Sequence, residues 1–255
     1  MEKGKRWKIK KQAIFVLLAL ILLVFIGFIE HKAADKPFTG LEVYVEGISD
    51  VYFVEEKDVI KLLENEFPVL GNKQMLEGIS LHDLEKKVES HPFVKNAEVF
   101  TDLKGKIIVK VSQHVPMARI VRPMAADGYI STEGKVLPTS PHYTSRVMTI
   151  EGVKTGELLQ AGDLSESYPG LLELIRYIHK DKFWNAQISA VEVLGNGDLI
   201  LYQQVGKQTI EFGKPEEIED KFSRINIYYK EILPQKGWNT YSRVNVKFKG
   251  QIVCE

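Results

Sequence analysis

Cysteine is almost missing from this chain, Cys254 being the single one in 255 residues. That excludes an internal disulfide framework. It also excludes a cysteine-based zinc site, because one thiol without a neighbouring His or second Cys cannot complete a ligand set. Net charge is missing too, with 34 Lys+Arg against 34 Asp+Glu. No Lys/Arg-rich stripe crosses the body of the sequence, so a nucleic-acid partner is set aside. Motifs of the commoner catalytic sites are absent: there is no G-x-S-x-G elbow, S-x-x-K, H-E-x-x-H or P-loop. His82 and His91 read as partly exposed polar positions around a helix. Gly195-Asn196-Gly197 lacks the third glycine and following helix of a nucleotide loop, and reads as a hairpin turn. Glu55-Glu56 stands near a helix start, where the helix dipole favours anions. The expectation is a non-enzyme with no catalytic residue, cofactor or metal.

What is present is ordinary globular material, 44% hydrophobic and 27% charged, enough for one or two domains with a sizeable core. Its charge is unevenly spread. Residues 1–12 carry six cations (Lys3, Lys5, Arg6, Lys8, Lys10, Lys11) against Glu2, which leaves the remainder mildly acidic. From Ala13 to Ile29 there is no charged or polar side chain. As a helix this run is roughly 25 Å long, at the short end for a hydrocarbon core of about 30 Å. Trp7 suits the headgroup layer, and Lys8, Lys10 and Lys11 can snorkel outward. The cations precede the run, so the N-terminus is expected in the cytoplasm and the bulk outside it. A cleaved signal peptide fits less well, since Ala33-Ala34 is preceded by His31 and Lys32 where small residues are wanted.

Beyond the expected anchor, alternation at Leu41, Val43 and Val45 predicts a strand. Val59, Leu62, Leu63 and Phe67 predict a helix over residues 54–67, stopped by Pro68. Ser80 is a good N-cap for a second helix burying Leu81, Leu84 and Val88. Strands over 96–101 and 106–113 flank a turn at Gly105. The order is β-α-α-β-β. After Val115 the chain is mostly strand: 118–121, 128–131, 135–137, 146–150, 190–194, 199–203 and 208–212. A helix starts near Pro169. Another, opened by Pro215 and closed by Pro234, carries the apolar stripe Ile218, Phe222, Ile225, Tyr229, Ile232. The chain is expected to finish with a strand from Tyr241 to Phe248, a turn or bulge at Lys249-Gly250, and Gln251–Cys254.

His91-Pro92-Phe93-Val94-Lys95-Asn96-Ala97, the strands that follow, and Gln113-His114-Val115-Pro116-Met117-Ala118 resemble the POTRA domain of the FtsQ/DivIB family of bacterial division proteins. The closing phrase lacks that family's frequent Glu. Tyr129-Ile130-Ser131-Thr132-Glu133-Gly134-Lys135-Val136 and Val244-Asn245-Val246-Lys247-Phe248 are similar to phrases of the family's β domain, with Asn245, Lys247 and Phe248 as departures. The resemblance spans nearly the whole chain. It implies an α+β protein with a single N-terminal transmembrane helix, a POTRA domain and a β-rich domain with two or more helices. The expected bounds are a basic tail 1–12, an anchor 13–29, a POTRA domain 38–114 and a β domain 115–255.

By resemblance, such a protein is a bitopic scaffold of the divisome at the septum, in the inner membrane with its bulk periplasmic. It recruits FtsB- and FtsL-like proteins, and other divisome membrane proteins, largely through its last strand and the helix before it. The residues so implicated are Tyr241, Arg243, Asn245, Lys247, Phe248, Lys249, Gly250 and Gln251, with Lys221 and Arg224 as a secondary surface. An unpaired strand edge suits this task because it offers backbone donors and acceptors to a partner strand. Two other classes stay open: a POTRA-bearing receptor for envelope assembly or secretion, and a membrane-tethered envelope enzyme.

Overall fold

The computed structural model describes residues 15–22, 24, 38–46, 53–70 and 80–255. Residues 15–22 and 24 are helical, and each large apolar side chain among them is between 52% and 77% exposed. The basic tail 1–12 and the rest of the expected anchor lie outside the described residues. Among those described, no helix is long and apolar enough to cross a membrane. From Phe38 onward the architecture is α+β.

The described chain divides into two compact units, and not by a single cut. Val45–Glu55 and Glu89–Asn96 group with Ser112–Glu255, while Glu56–Val88 and Ala97–Val111 group with the chain up to Tyr44. In the first unit, strand β1 (Gly40–Glu46) is followed by helices α1 (Glu56–Glu66) and α2 (Leu81–Glu89). Strands β2 (Val94–Thr101) and β3 (Lys106–Gln113) complete a sheet of order β1-β3-β2. This is the expected β-α-α-β-β series. The Ser80 Oγ accepts from the Asp83 N–H at 3.0 Å, the N-cap its position predicts. Val59, Leu63, Leu84 and Val88 form the buried stripes of the helices, while Ile107, Val109 and Val111 alternate inward from β3. Glu66 of α1 pairs with Lys87 of α2 at 2.6 Å, and the Glu85 carboxylate accepts from the Val99 N–H at 3.0 Å.

The second unit is built on nine strands in the order β12-β11-β10-β9-β8-β7-β4-β5-β6. These are β4 (Pro116–Ile120), β5 (Gly128–Ser131), β6 (Val136–Leu137), β7 (Met148–Gly152), β8 (Ile188–Val193), β9 (Leu199–Gln203), β10 (Thr209–Gly213), β11 (Arg243–Asn245) and β12 (Val253–Cys254). The pairs β4–β7, β7–β8 and β10–β11 are parallel, each joined through intervening chain, and the remaining neighbours are antiparallel. Six helices accompany the sheet: α3 (Thr155–Gln160), α4 (Leu164–Ser167), α5 (Pro169–Lys180), α6 (Lys182–Gln187), α7 (Ile218–Ile227) and α8 (Leu233–Lys236). Phe222 of α7 sits among aromatics, with ring centroids 4.7 Å from Tyr177, 4.8 Å from Trp184 and 5.5 Å from Phe212. At another point of this unit Phe53 stacks on Phe93 at 4.6 Å, and Tyr129 and Tyr143 meet Phe53 edge-on.

Three expectations need correction. The helix expected from Pro215 to Pro234 is not continuous: Tyr228–Ile232 forms a π turn before α8. Pro234 has no N–H for a helical bond, and its ring crowds the carbonyl four residues back. The widened turn absorbs that conflict and lets Tyr228 and Tyr229, consecutive residues, both be buried. The strand expected over Tyr241–Phe248 shrinks to Arg243–Asn245. Beyond it the Val246 N–H still reaches the Glu211 carbonyl of β10, while the Lys247 N–H, on the β12 side, bonds the Asn245 Oδ1 at 2.9 Å in place of a strand partner. Finally, the short helices α3, α4 and α6 were not expected. Two of them carry clear caps, with Asp163 accepting from Ser165 and Asp181 from Phe183 and Trp184.

Candidate functional site

The C-terminal end of the nine-stranded sheet is where the expected partner residues gather. After Val246 the chain turns through Phe248–Gln251, where the Gln251 N–H reaches the Phe248 carbonyl and Gly250 takes φ +67°. Only a residue without a Cβ adopts that conformation freely. The chain then runs back beside β11, so Val244 faces Cys254 and Asn245 faces Val253. Arg243 and Glu255 exchange both backbone bonds, at 3.0 and 2.9 Å. The next pair inward is therefore non-bonded in the antiparallel alternation, and the Cys254 N–H and C=O point away from β11. The opposite edge is guarded, since the Val136 N–H of β6 bonds the Gly162 carbonyl and Lys135 bridges Asp163. The strand expected to be the edge, β11, is thus covered by the chain's own last residues, and β12 takes its place.

Side chains sort by face. Val244 and Val246 are fully buried, with Ile252 and Cys254 packed beside them. Burial pushes the Cys254 thiol above its ordinary value. The other face holds a charged array centred on Glu211. Its carboxylate meets Arg243 at 3.1 Å, Asn245 Nδ2 at 2.8 Å and Lys247 Nζ at 3.4 Å, and Lys247 also lies 3.7 Å from Asp198. Arg243 pairs in addition with the Glu255 carboxylate. Lys247 is therefore paired from within the chain. Phe248 is turned outward and 59% exposed, Lys249 reaches Glu217 at 3.1 Å, and Gln251 is exposed. Tyr241 is half-buried, its ring 6.4 Å from that of Tyr228.

Lys221 and Arg224 are not a surface, and that expectation is corrected. The Lys221 ammonium lies 4.7 Å above the Phe212 ring and donates to the Lys214 carbonyl at 2.7 Å. Lost hydration holds its pKa below the usual lysine range. Arg224 is 7% exposed. It donates to the carbonyls of Phe248 and Gln251 at 2.6 and 2.7 Å and pairs with Asp220 at 2.9 Å. It therefore braces the outward turn from beneath. Glu211, Asp198, Val253 and Glu255 belong to this edge and were not foreseen. Glu211 lies inside the expected strand 208–212, but nothing in the sequence shows that β10 pairs with β11.

A groove of about 650 Å³ elsewhere in this unit is walled by Phe183, Trp184, Tyr229 and Trp238, with Asp181 and Lys230 also in its lining. Among the described residues no cluster of His, Cys, Asp or Glu could hold a metal ion.

The described fold is thus a POTRA-type sheet and helix pair followed by a mixed sheet in which β12 pairs with no further strand among the described residues. Two family models match: residues 38–112 fit a POTRA-like domain, and residues 115–255 fit the domain described as FtsQ/DivIB, C-terminal related. The chain belongs to the FtsQ/DivIB family, a family of non-catalytic division proteins. No curated protein sequence matches it.

Proposed function

We propose that this chain is a membrane-anchored, non-catalytic scaffold of the division machinery. It gathers FtsB- and FtsL-like partners, and with them other divisome membrane proteins, at the septum by strand addition to β12. The carrying observation is the uncovered edge at Val253–Cys254 beside an outward Phe248. Main-chain bonds to Cys254 supply affinity in this mode, while Phe248 and Val253, the latter 39% exposed, supply apolar anchors. Tyr241, Arg243, Asn245, Lys247, Lys249, Gly250 and Gln251 shape and charge the rim. The organisation proposed is a cytoplasmic tail 1–12, an inner-membrane anchor 13–29, a POTRA domain 38–114 and a β domain 115–255 outside the cytoplasm. Exposed apolar side chains along residues 15–22 support the anchor, since water is a poor solvent for such a helix.

The test is titration of the full chain in nanodiscs with an FtsB-like partner. Truncating an interface anchor costs about 2 kcal/mol or more, so Phe248→Ala is expected to weaken binding roughly thirtyfold with unchanged melting. Full affinity in Phe248→Ala and in a variant carrying Pro at Cys254 would sink the edge proposal.

A further inference from the structure

We propose that the second unit carries an oxyanion site, for the carboxylate or phosphate group of a small molecule, in a groove at the start of β7 and β8. The groove has a volume of about 510 Å³ and shares no residue with the C-terminal edge. Arg146, His179, Asn185, Ser189 and Gln204 give it its polar lining, and no carboxylate lines it. Four chain segments contribute these residues: the approach to β7, the last turn of α5, the end of α6 with the start of β8, and the residue after β9. The parallel β7–β8 pair fixes the first and third relative to each other, and Met148 and Ile188 are buried at its base.

Three of the five polar lining side chains have donors that nothing uses. Among the described residues the side chains of Arg146, Asn185 and Gln204 have no hydrogen-bond or ion-pair partner. Arg146 is exposed and brings an unneutralised guanidinium whose planar fork matches a carboxylate or phosphate. Asn185 and Gln204 can each turn an amide N–H toward an anion. The Nδ1 of His179 is sealed from water without a partner. His179 is half-buried, so the part of it exposed to the groove is not Nδ1. Ser189 gives its hydroxyl proton to the Tyr202 carbonyl at 3.2 Å and is already satisfied. An unpaired guanidinium flanked by two amides that can turn their N–H groups inward, with no acid within the lining, is complementary to an oxyanion.

The experiment follows the side-chain amide resonances of Asn185 and Gln204 by NMR in the full chain, held in neutral maltoside micelles. Inorganic phosphate and acetate are titrated in separate arms, with chloride at matched ionic strength as control. Saturable shifts with phosphate or acetate, and none with chloride, are expected, and the tighter arm identifies the preferred anion. Arg146→Gln should weaken that binding at least about tenfold, since it removes a charge-assisted pair. Melting should not change, because Arg146 supports nothing else. Shifts that rise linearly in every arm, or that appear equally with chloride, would overturn the site. Undiminished affinity in Arg146→Gln would do the same.

Discussion

Arg224 touches no solvent-facing partner surface, yet replacing it is expected to disable the C-terminal edge. Its guanidinium donates at 2.6 Å to the Phe248 carbonyl and at 2.7 Å to the Gln251 carbonyl, tying both ends of the turn to α7. A hydrogen bond to a charged group contributes about 1.5–3 kcal/mol. The turn is exposed, so both carbonyls regain water when the arginine is removed, and the low end of that range applies. The pair with Asp220 adds little, because Asp220 is 56% exposed and surface i,i+4 pairs contribute only about 0.3–0.5 kcal/mol. Arg224→Met keeps most of the stem's packing and avoids a cavity. Its net cost is then about 2–3 kcal/mol, which lowers Tm by about 5–10 °C in a body of this size. Amide exchange at Val253–Glu255 should accelerate, since β12 pairs with β11 alone in the sheet and is entered through this turn. Partner affinity should fall with it, by up to about thirtyfold, because binding must first reorder the edge. Phe248→Ala shows the contrary pattern, with weaker binding at unchanged Tm. An Arg224→Met chain that melts within about 1 °C of the parent and keeps its exchange at 253–255 would refute the bracing role.

Two further outcomes are expected. Lost hydration tends to raise the Glu133 pKa, but hydrogen bonds from Lys95 at 2.6 Å and His114 at 3.1 Å outweigh it and hold the group at about 2 against an ordinary 4.5. A depressed carboxylate stabilises the fold above its unfolded pKa and loses that contribution as pH falls from about 4.5 to about 2. Screening at a side chain 35% exposed reduces the effect to about 1 kcal/mol. Acid melts should show that slope, and Glu133→Gln should flatten it; an equal slope in both chains would discount the network. The second outcome is topological: a reporter active only outside the cytoplasm should work when fused after Glu255, and activity of a cytoplasm-only reporter there would reverse the proposed orientation.

Much of the fold could be read from periodicity. Alternation found β3 at Lys106–Gln113 to the residue, and Pro169 marked the start of α5. What escaped was set by partners distant in sequence or by single local bonds. Capping by Asp163 and Asp181 makes α4 and α6, and Asp163 with Glu166 three residues on is a capping pattern that could have been recognised. Beyond the end of β11 the Lys247 N–H is taken by the Asn245 side chain, a local bond that hydropathy cannot register. At the edge, alternation separates Val244 and Val246 from Asn245 and Lys247 but does not say which set faces the core; the structure buries the two valines. Alternation could not show that Glu211 and Asp198 already occupy Lys247, or that Arg224 points inward.

The parallel pairing of β10 with β11 also orders events in time. The two strands are joined only by the crossover containing α7, the π turn and α8. A parallel neighbour across such a connection cannot pair until the loop between them has closed, and loop closure costs entropy before any contact repays it. Strand β12 in turn has nothing to lie against until β11 is in place. Strand β12 therefore cannot form before the β10–β11 crossover has closed, and a partner taking the proposed edge would engage only chains in which that crossover is already packed.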